Sequence, residues 1–299
     1  MSKGEQEIPG ATETRNSWFR RFSVIPKTAA KVVLFVNPDA DPNDYTTRSL
    51  AEAIDASIES TKLNVDGKIH FRDSWPPLKS FIKSISYDWF DGAVAERKNQ
   101  IKPGSHDTRE GGRLDACYDK LCRLAGGTSR MITAWRRGDR YGEIVAGAAT
   151  VTAPLSAYYR ADGESRGEKF NESGNGLKKK DILGFFGTQL GGNLLTISET
   201  LWGNASMRVK GRTIYYQDIA DTISFISNVK TAWARSRGGK PIELPSPNDP
   251  KYEEAVTDLN KIKDDAKYRK RGLRWVFIGG GLAIGATGIL LHLQDDNKK

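Results

Sequence analysis

The sequence predicts a mainly α-helical protein with a small N-terminal α+β part and one C-terminal transmembrane helix. Three observations lead to this prediction. A long uncharged apolar run lies near the end of the chain, apolar residues recur at helical spacing through the middle, and a short β-branched run precedes residue 40. The 299 residues, of which 38% are hydrophobic and 28% charged, suffice for one or two modest domains.

The N-terminal third carries the only signals for β-structure. Residues 1–26 are polar and predict a flexible leader, and residues 27–96 predict a small α+β unit. The run KVVLFV at residues 31–36 is typical of a buried strand, and a second strand is predicted at residues 68–71. Pro76-Pro77 is expected to break the chain after it. Helical spacing predicts helices around these strands at Leu50, Ile54 and Ile58, where Asp44 is the expected cap, and at Leu78, Phe81, Ile82 and Ile85.

The middle of the chain reads as a helical domain. Residues 97–113 are charged and contain glycine, which predicts a linker before a helical domain at residues 114–236. Gly126-Gly127 is expected to end one helix. The stretch 144–159 consists almost entirely of small and apolar residues, and it is either a tightly packed core helix or a segment that dips into a membrane. The clearest amphipathic helix has an apolar stripe of Ile219, Ile223, Ile226, Val229 and Trp233, opposed by Asp218, Asp221, Asn228 and Lys230.

The C-terminal apolar run is the strongest signal in the sequence. Prolines at residues 237–250 predict a stiff linker, and residues 251–274 predict a stalk helix that continues into the run at residues 275–293. Nineteen helical residues extend roughly 28 Å, close to the hydrocarbon thickness of about 30 Å, so Trp275 and Leu293 mark the ends of a predicted span. A buried core helix is the alternative, but such helices are usually shorter. A basic flank precedes the run and consists of Lys267, Arg269, Lys270, Arg271 and Arg274.

Two features of this span predict its pairing and its orientation. Gly281 and Gly285 form a GxxxG pair that allows close helix contact, which predicts a homo-oligomer in the membrane; alternatively, these glycines only lower hydrophobicity. Because the basic flank lies on the N-terminal side, the positive-inside tendency places residues 1–274 in the cytosol. We therefore expect a tail anchor in the mitochondrial outer membrane, the peroxisome or the endoplasmic reticulum.

A second membrane contact is predicted between residues 178 and 202. A lysine triplet precedes an apolar helical stretch, which is typical of a helix in a membrane interface, although a core helix of a bundle shows the same pattern. The residues expected at this interface are Lys178, Lys179, Lys180, Phe185, Phe186 and Trp202. The formal net charge of +9 favours the bilayer and its anionic headgroups as partners. Nucleic acid is an unlikely partner, because no recognition motif accompanies the charge.

The sequence predicts no catalytic, cofactor-binding or metal-binding residues. Asp39, Asp41 and Asp44 follow the first predicted strand and could hold a phosphate or metal, but the sequence favours a capped turn, because no histidine or Gly-rich loop accompanies them. Of the three histidines, His70 or His106 would have to serve any hydrolase triad, and no established catalytic motif surrounds either. Cys117 and Cys122 lie five residues apart on a predicted helix, so they point in different directions and suggest a reduced compartment.

These patterns together predict a tail-anchored, non-enzymatic adaptor or membrane-remodelling factor that uses basic amphipathic helices on the cytosolic face of an organelle. The protein partner is unknown at this stage. The alternative is a membrane-anchored enzyme that acts on a lipid or a hydrophobic metabolite, which would need a deep apolar cavity with convergent polar groups.

Overall fold

The computed structural model describes residues 39–101, 108–170 and 189–296, together with Leu34, Asn37 and Phe186. This part of the chain is 79% helical and contains seven helices. They are α1 (Pro42–Thr61), α2 (Phe71–Ile101), α3 (Thr108–Arg136), α4 (Arg140–Ser165), α5 (Gln189–Trp202), α6 (Tyr216–Ser236) and α7 (Tyr252–Asp296). Four short strands accompany them: β1 (Glu168–Lys169), β2 (Ser206–Val209), β3 (Arg212–Tyr215) and β4 (Lys240–Pro241).

The helices form a bundle in which α3 is the central member. Helix α3 packs against α1 on one side and against α4 and α7 on the other. Helix α1 also packs against α2, whereas α4 also packs against α6. Therefore α3 separates an α1–α2 pair from a group formed by α4, α6 and α7. Helix α5 packs against both α2 and α6.

Hydrogen bonds fix the relative level of α4 and α6. The side chain of Asn228 donates to the carbonyl oxygen of Ala149 at 3.0 Å, and the Arg235 guanidinium donates to the carbonyl oxygen of Ser156 at 3.0 Å. Both pairs are 79 residues apart in the sequence. The two helices therefore run parallel to each other.

Helix α7 runs antiparallel to α4 along most of its length. Near the start of their contact, Arg269 donates to a carboxylate oxygen of Glu164 at 2.8 Å. Further along, a Cβ atom placed on Gly147 would lie 3.2 Å from the Cγ2 atom of Ile284. The predicted stalk and the predicted span thus form one continuous helix that lies against the bundle.

The start of α1 is set by two standard N-terminal signals. The Asp41 carboxylate accepts a hydrogen bond from the backbone N–H of Asn43 at 3.0 Å. Pro42 occupies the first helical position, where a missing N–H leaves no bond unmade. The observed cap is therefore Asp41, and the prediction of Asp44 as the cap is corrected.

Helix α2 passes through Pro76 and Pro77, contrary to the predicted break. It begins at Phe71 and continues to Ile101. Each proline removes a backbone hydrogen bond, which costs helix stability. Pro77 is fully buried and its neighbour Leu78 is also buried, so packing against the bundle offsets that cost.

The small N-terminal α+β part is not supported. Residues 68–70 form no strand, because the carbonyl of His70 already accepts hydrogen bonds from the N–H groups of the first turn of α2. The predicted strand at residues 31–36 lies outside the described residues except for Leu34, which is buried against Ala93 and Val94 of α2. The described strands are two short antiparallel pairs, β2–β3 and β1–β4, both later in the chain. The first residue of β2, Ser206, donates its backbone N–H to the carbonyl oxygen of Gly67 at 3.1 Å.

The Gly126-Gly127 pair does not end a helix, since α3 continues to Arg136. A Cβ atom on Gly127 would lie 1.7 Å from the hydroxyl oxygen of Thr150 in α4. Glycine is therefore required where these two helices cross closely. The sequence signal for a helix stop is here a signal for helix packing.

Small and polar residues fill much of the bundle interior. Most of the buried apolar residues in the described part are alanines, and the fully buried side chains include Asp221, Ser227 and Thr231. Larger apolar side chains are often on the outside. Soluble proteins more commonly bury Ile, Leu and Phe and expose their ionisable groups. The distribution in this bundle is partly inverted.

Candidate membrane-facing surface

Helix α7 has two different sides along its apolar half. One side packs against α3 and α4 and contains the buried residues Leu273, Ile284 and Leu291. Ile284 forms an apolar cluster with Met131 of α3 and Ala146 of α4, which holds this side on the bundle. The opposite side contains residues of which large fractions are exposed, among them Trp275 (72%), Leu282 (71%), Ile289 (64%) and Leu293 (53%).

The predicted GxxxG pair lies towards the open side of α7. No described atom lies within 4 Å of a Cβ atom placed on Gly281 or on Gly285. On the packed side, by contrast, a Cβ atom on Gly280 would lie 3.7 Å from Leu124 of α3. The pair is therefore not used for packing within this bundle and is accessible to another helix or to lipid.

Two residues of the basic flank are tied to α4. Arg269 pairs with Glu164 at 2.8 Å, and Lys270 pairs with Asp162 at 2.5 Å. Arg271 and Arg274 are exposed. The fifth residue, Lys267, pairs within its own helix with Asp264 at 3.0 Å. The flank therefore both fastens α7 to the bundle and leaves cationic groups at the surface.

Helix α6 turns its apolar stripe outwards. Ile219, Ile226, Val229 and Trp233 of the stripe are exposed, and Ile223 is half-buried. Of the four polar residues predicted opposite the stripe, Asp218, Asp221 and Asn228 are buried in the bundle. Lys230 is half-buried and lies within the stripe, which corrects its predicted position. An amphipathic helix of a soluble protein normally has the reverse orientation, with its apolar stripe towards the core.

Helix α4 joins the outer surfaces of α6 and α7. Residues 144–159 carry no formal charge, and Ile144 is 72% exposed at one end of this stretch. The inward residues are small, including Ala146, Ala149 and Ala153. The stretch therefore packs tightly in the bundle on one side, while its other side is uncharged. We call the exposed sides of α4, α6 and residues 275–293 of α7 the outer apolar face.

Two aspartates on the polar side of α6 form ion pairs inside the bundle. The Arg130 guanidinium of α3 donates to Asp221 at 2.8 Å and lies 3.6 Å from Glu199 of α5. Burial raises the pKa of Glu199 to about 8, with Arg130 opposing the rise and the Asp221 carboxylate adding to it. A second buried guanidinium, Arg137, pairs with Asp218 at 3.3 Å.

A cavity of about 130 Å³ with a mixed polar and apolar lining lies between α1, α2, α3, α4 and α5. Residues with hydroxyl groups from all five of these helices line it, together with the charged residues Asp88, Asp119, Arg123, Arg130 and Glu199. Such a lining suits water or a small polar molecule. It does not match the apolar pocket that a lipid or a hydrophobic metabolite would need.

Three carboxylates meet near one end of this cavity. Oxygen atoms of Asp88, Asp91 and Asp115 lie within 4.8 Å of one another. Burial and the nearby carboxylates of Asp119, Asp115 and Asp91 raise the pKa of Asp88 to about 8. Burial also raises the pKa of Asp91 to about 6, against a hydrogen bond of 2.6 Å from Thr46. The cluster therefore holds at least one proton near neutral pH.

The predicted interface helix is only partly described. Lys178, Lys179, Lys180 and Phe185 lie outside the described residues. Phe186 is half-buried in a helical position, and Trp202, at the end of α5, is 39% exposed.

The other candidate residues are dispersed. Asp41 caps α1, and His70 lies 3.0 Å from the carboxylate of Asp66 at the surface. His106 lies outside the described residues. Cys117 and Cys122 are both free cysteines on α3 and are half-buried. Among the described residues, these side chains do not come together in one site.

The chain matches no protein-family model, no curated protein and no solved structure. The functional interpretation therefore depends on the physical features of the molecule. The feature that residue patterns did not reveal is the outward orientation of the α6 stripe. The acidic residues on the opposite side of α6 were a possible signal, but a stripe alone does not tell which side faces the core.

Proposed function

We propose that this chain is a single-pass protein of an organelle membrane that acts as a non-enzymatic adaptor or membrane-remodelling factor on the cytosolic face. The observation that carries the proposal is the exposed apolar side of α7 over residues 275–293, directly behind a basic flank. The described chain contains one helix that is long and apolar enough to cross a membrane. Only 17% of its apolar window is buried in the bundle, so most of that window is available to lipid.

Burial in lipid would relieve the exposure of this helix. Side chains such as Leu282 and Ile289 lose apolar contact with water when they meet acyl chains, at about 25 cal/mol per Å². Cations before the span favour the anionic cytosolic leaflet, where each contributes about 1 kcal/mol. Both effects place residues 275–293 in the hydrocarbon and the basic flank at its cytosolic surface.

The adaptor or remodelling role follows from the way α7 is attached to the bundle. A simple anchor would extend away from its soluble body on a linker. Here the same residues that enter the membrane pack on α3 and α4 through Ile284, Met131 and Ala146. The bundle is therefore held close to the bilayer, where it would displace lipid or present its surface to a partner.

The alternative of a membrane-anchored enzyme acting on a lipid receives less support from the cavity. Its lining is rich in hydroxyl and charged groups, and Asp88 and Glu199 lie there with raised pKa values. These groups fit a small polar substrate better than an acyl chain. A loss of a measurable reaction in Asp88→Asn, with unchanged membrane binding, would favour this alternative.

A depth measurement tests the span. A fluorescent label is placed at residue 275, 282 or 293 of the full chain in anionic vesicles, and lipid-borne quenchers at known depths report its position. A span predicts that the label at residue 282 is the deepest of the three. Equal, shallow depths at all three positions would contradict a span, because they describe a helix lying along the surface.

Localisation and membrane shape test the remaining parts of the proposal. A fluorescent fusion should label one organelle, and removal of residues 267–299 should release it into the cytosol. Addition of the full chain to giant anionic vesicles should deform them if it remodels membranes. If the protein binds the vesicles without deforming them, the adaptor role is supported and the remodelling role is contradicted. A fusion that stays on the organelle after the truncation would contradict the anchor.

A further inference from the structure

We infer that α4 and α6 contact bilayer acyl chains together with α7, so that the membrane-embedded surface comprises three helices. This inference rests on the proposed membrane location of α7 and extends the proposed single span to a bundle in which α4 and α6 also lie in the hydrocarbon. It adds a lipid contact for two helices that are not themselves apolar enough throughout to be recognised as spans. Four observations support it: the level of α6 relative to the predicted span, the side of α6 on which its polar residues lie, the positions of the aromatic residues, and the distribution of charge.

The exposed apolar residues of α6 lie at the same level as the predicted span. Asn228 of α6 bonds to Ala149 of α4, and two residues earlier Gly147 faces Ile284 in the middle of the span. Ile226 and Val229 therefore lie at the depth of the span's centre. Helix α4 packs against both α6 and α7 and therefore lies between them. Lipid that covers the open side of α7 at this depth would also cover the outer sides of α4 and α6.

Helix α6 has the orientation that a lipid environment requires, with its acidic side chains inside the bundle and its apolar side chains outside. Its ionisable side chains point into the bundle, where Asp221 pairs with Arg130 and Asp218 pairs with Arg137. Intramembrane ionisable groups face the bundle interior and pair with one another, whereas apolar side chains face lipid. In water the same arrangement would leave an apolar stripe exposed, with no described element covering it.

Aromatic residues mark the ends of the outer apolar face. Trp233 of α6 lies at the same level along the bundle as the start of the α7 run, where Trp275 is exposed. Arg237 stacks 3.5 Å above the Trp233 ring. At the other end Tyr141 of α4 is exposed. Tyr158 and Tyr141 are separated along α4 by about 26 Å at 1.5 Å per residue. Trp and Tyr are enriched at both edges of the hydrocarbon, which is about 30 Å thick.

Charge separates this face from the rest of the bundle. Residues 144–159 of α4 and 275–293 of α7 carry no formal charge. On α6, Lys230 is the one cation within the stripe; it is half-buried and follows Val229, and its long side chain can extend along the helix towards the headgroups. The opposite surface, on α1 and α2, is charged and lies beyond α3. Lipid is therefore the occupant that matches the outer apolar face.

The test compares three labelled positions in the full chain. Ile226→Cys on α6, Leu282→Cys on α7 and Thr47→Cys on the exposed surface of α1 each receive a solvent-sensitive fluorophore. Anionic vesicles then carry quenchers on their acyl chains. Wild-type protein treated with the same dye gives the background from Cys117 and Cys122. Val229→Cys serves as a second α6 position if the first variant folds poorly.

We expect several-fold quenching at residues 226 and 282 and none at residue 47. Quenching at residue 282 alone would overturn this inference while the anchor stands. Quenching at residue 226 without quenching at residue 282 would support the α6 contact and overturn the proposed span. Equal quenching at all three positions would also overturn the inference, because it would mean that the contact is not confined to this face.

Discussion

The two sides of the bundle differ in how their outer surfaces combine charge with apolar residues. On the α1–α2 side, Ile54 and Ile82 are exposed, but charged residues lie between them, and Lys83 pairs with Glu52 at 2.9 Å. On the opposite side, the outer apolar face also exposes large apolar residues but carries almost no charge. Exposure of apolar residues alone thus does not distinguish the two surfaces.

The difference teaches that the placement of ions decides which solvent a surface fits. Surface ion pairs such as Lys83–Glu52 are typical where water screens them. Charges of the α6 region are instead withdrawn into buried pairs such as Arg130–Asp221. One side of the molecule is therefore suited to water and the other to lipid, and α3 separates them.

The largest expected effect comes from breaking a buried ion pair. Asp221→Ala leaves the Arg130 guanidinium inside the bundle without its 2.8 Å partner, which should lower the free energy of unfolding by about 3–5 kcal/mol. Denaturant unfolding in mild detergent measures it. The matched control is Lys83→Met, which removes an exposed pair and should leave stability nearly unchanged. Similar losses in both variants would contradict the contrast between the two sides.

The next effect concerns membrane insertion. Leu282→Arg places a charge at the middle of the exposed side of α7, at a cost of about 2.5–3.5 kcal/mol, or on the order of 100-fold in partitioning. The fraction of protein resistant to alkaline extraction from membranes should fall accordingly. Ile54→Arg, a matched change on the exposed surface of α1, should have no effect. A protein that resists extraction equally well with either change would remove the basis for a lipid-facing side.

A smaller effect tests whether α7 stays packed on α4. Gly147→Leu inserts a side chain where Ile284 already approaches to 3.2 Å, and overpacking of this kind costs about 1–3 kcal/mol. The unfolding midpoint in detergent should fall. Gly281→Leu points into open space and should not lower it. If both substitutions leave the unfolding midpoint unchanged, the result would indicate that α7 is not packed on the bundle in that detergent.

The acidic cluster predicts a pH dependence of stability. Because the pKa of Asp88 is about 8 in the folded state and ordinarily 3.8, the folded state holds a proton between these values that the unfolded state has lost. Stability should therefore fall as pH rises from about 4 to 8, by up to about 1.4 kcal/mol per pH unit. Asp88→Asn should remove the part of this dependence that Asp88 contributes, as measured by unfolding at several pH values. Asp91 and Glu199, whose pKa values are raised to about 6 and about 8, should keep the rest.

Asp162→Asn provides the control for this pH series. Although burial opposes it, hydrogen bonds from Lys270 and Arg166 lower the pKa of Asp162. Its contribution is present above the unfolded pKa and is lost only as pH falls below about 4. The difference between this variant and wild type should stay constant from pH 5 to 8. A steep wild-type dependence that survives Asp88→Asn would assign the effect to another group.

The smallest expected effect concerns helix pairing. Gly281→Leu together with Gly285→Leu should reduce crosslinked dimer in membranes by on the order of fivefold, about 1 kcal/mol, because the GxxxG pair is open in the bundle. Gly279→Leu, also in open space but outside that pair, serves as control. Equal crosslinking in all variants would indicate that the glycines serve only to lower hydrophobicity.

The sequence was sufficient for the helices and for the apolar C-terminal run, since both depend on local periodicity. It was misleading where tertiary packing outweighs a local rule. Pro76 and Pro77 are accommodated in α2, and Gly127 permits a close helix crossing instead of ending α3. The orientation of α6 was beyond reach for another reason: a stripe specifies two sides of a helix but not the medium that each side meets.

The continuity of α7 has a mechanical consequence. At 1.5 Å per residue, the 45 residues of Tyr252–Asp296 make one helix of about 68 Å without an interruption. Any tilt or rotation imposed on its C-terminal half is transmitted along the same axis to Arg269 and Lys270, whose partners are Glu164 and Asp162. A displacement of residues 275–293 would therefore be felt at the far end of α4, through the ion pairs of Arg269 and Lys270.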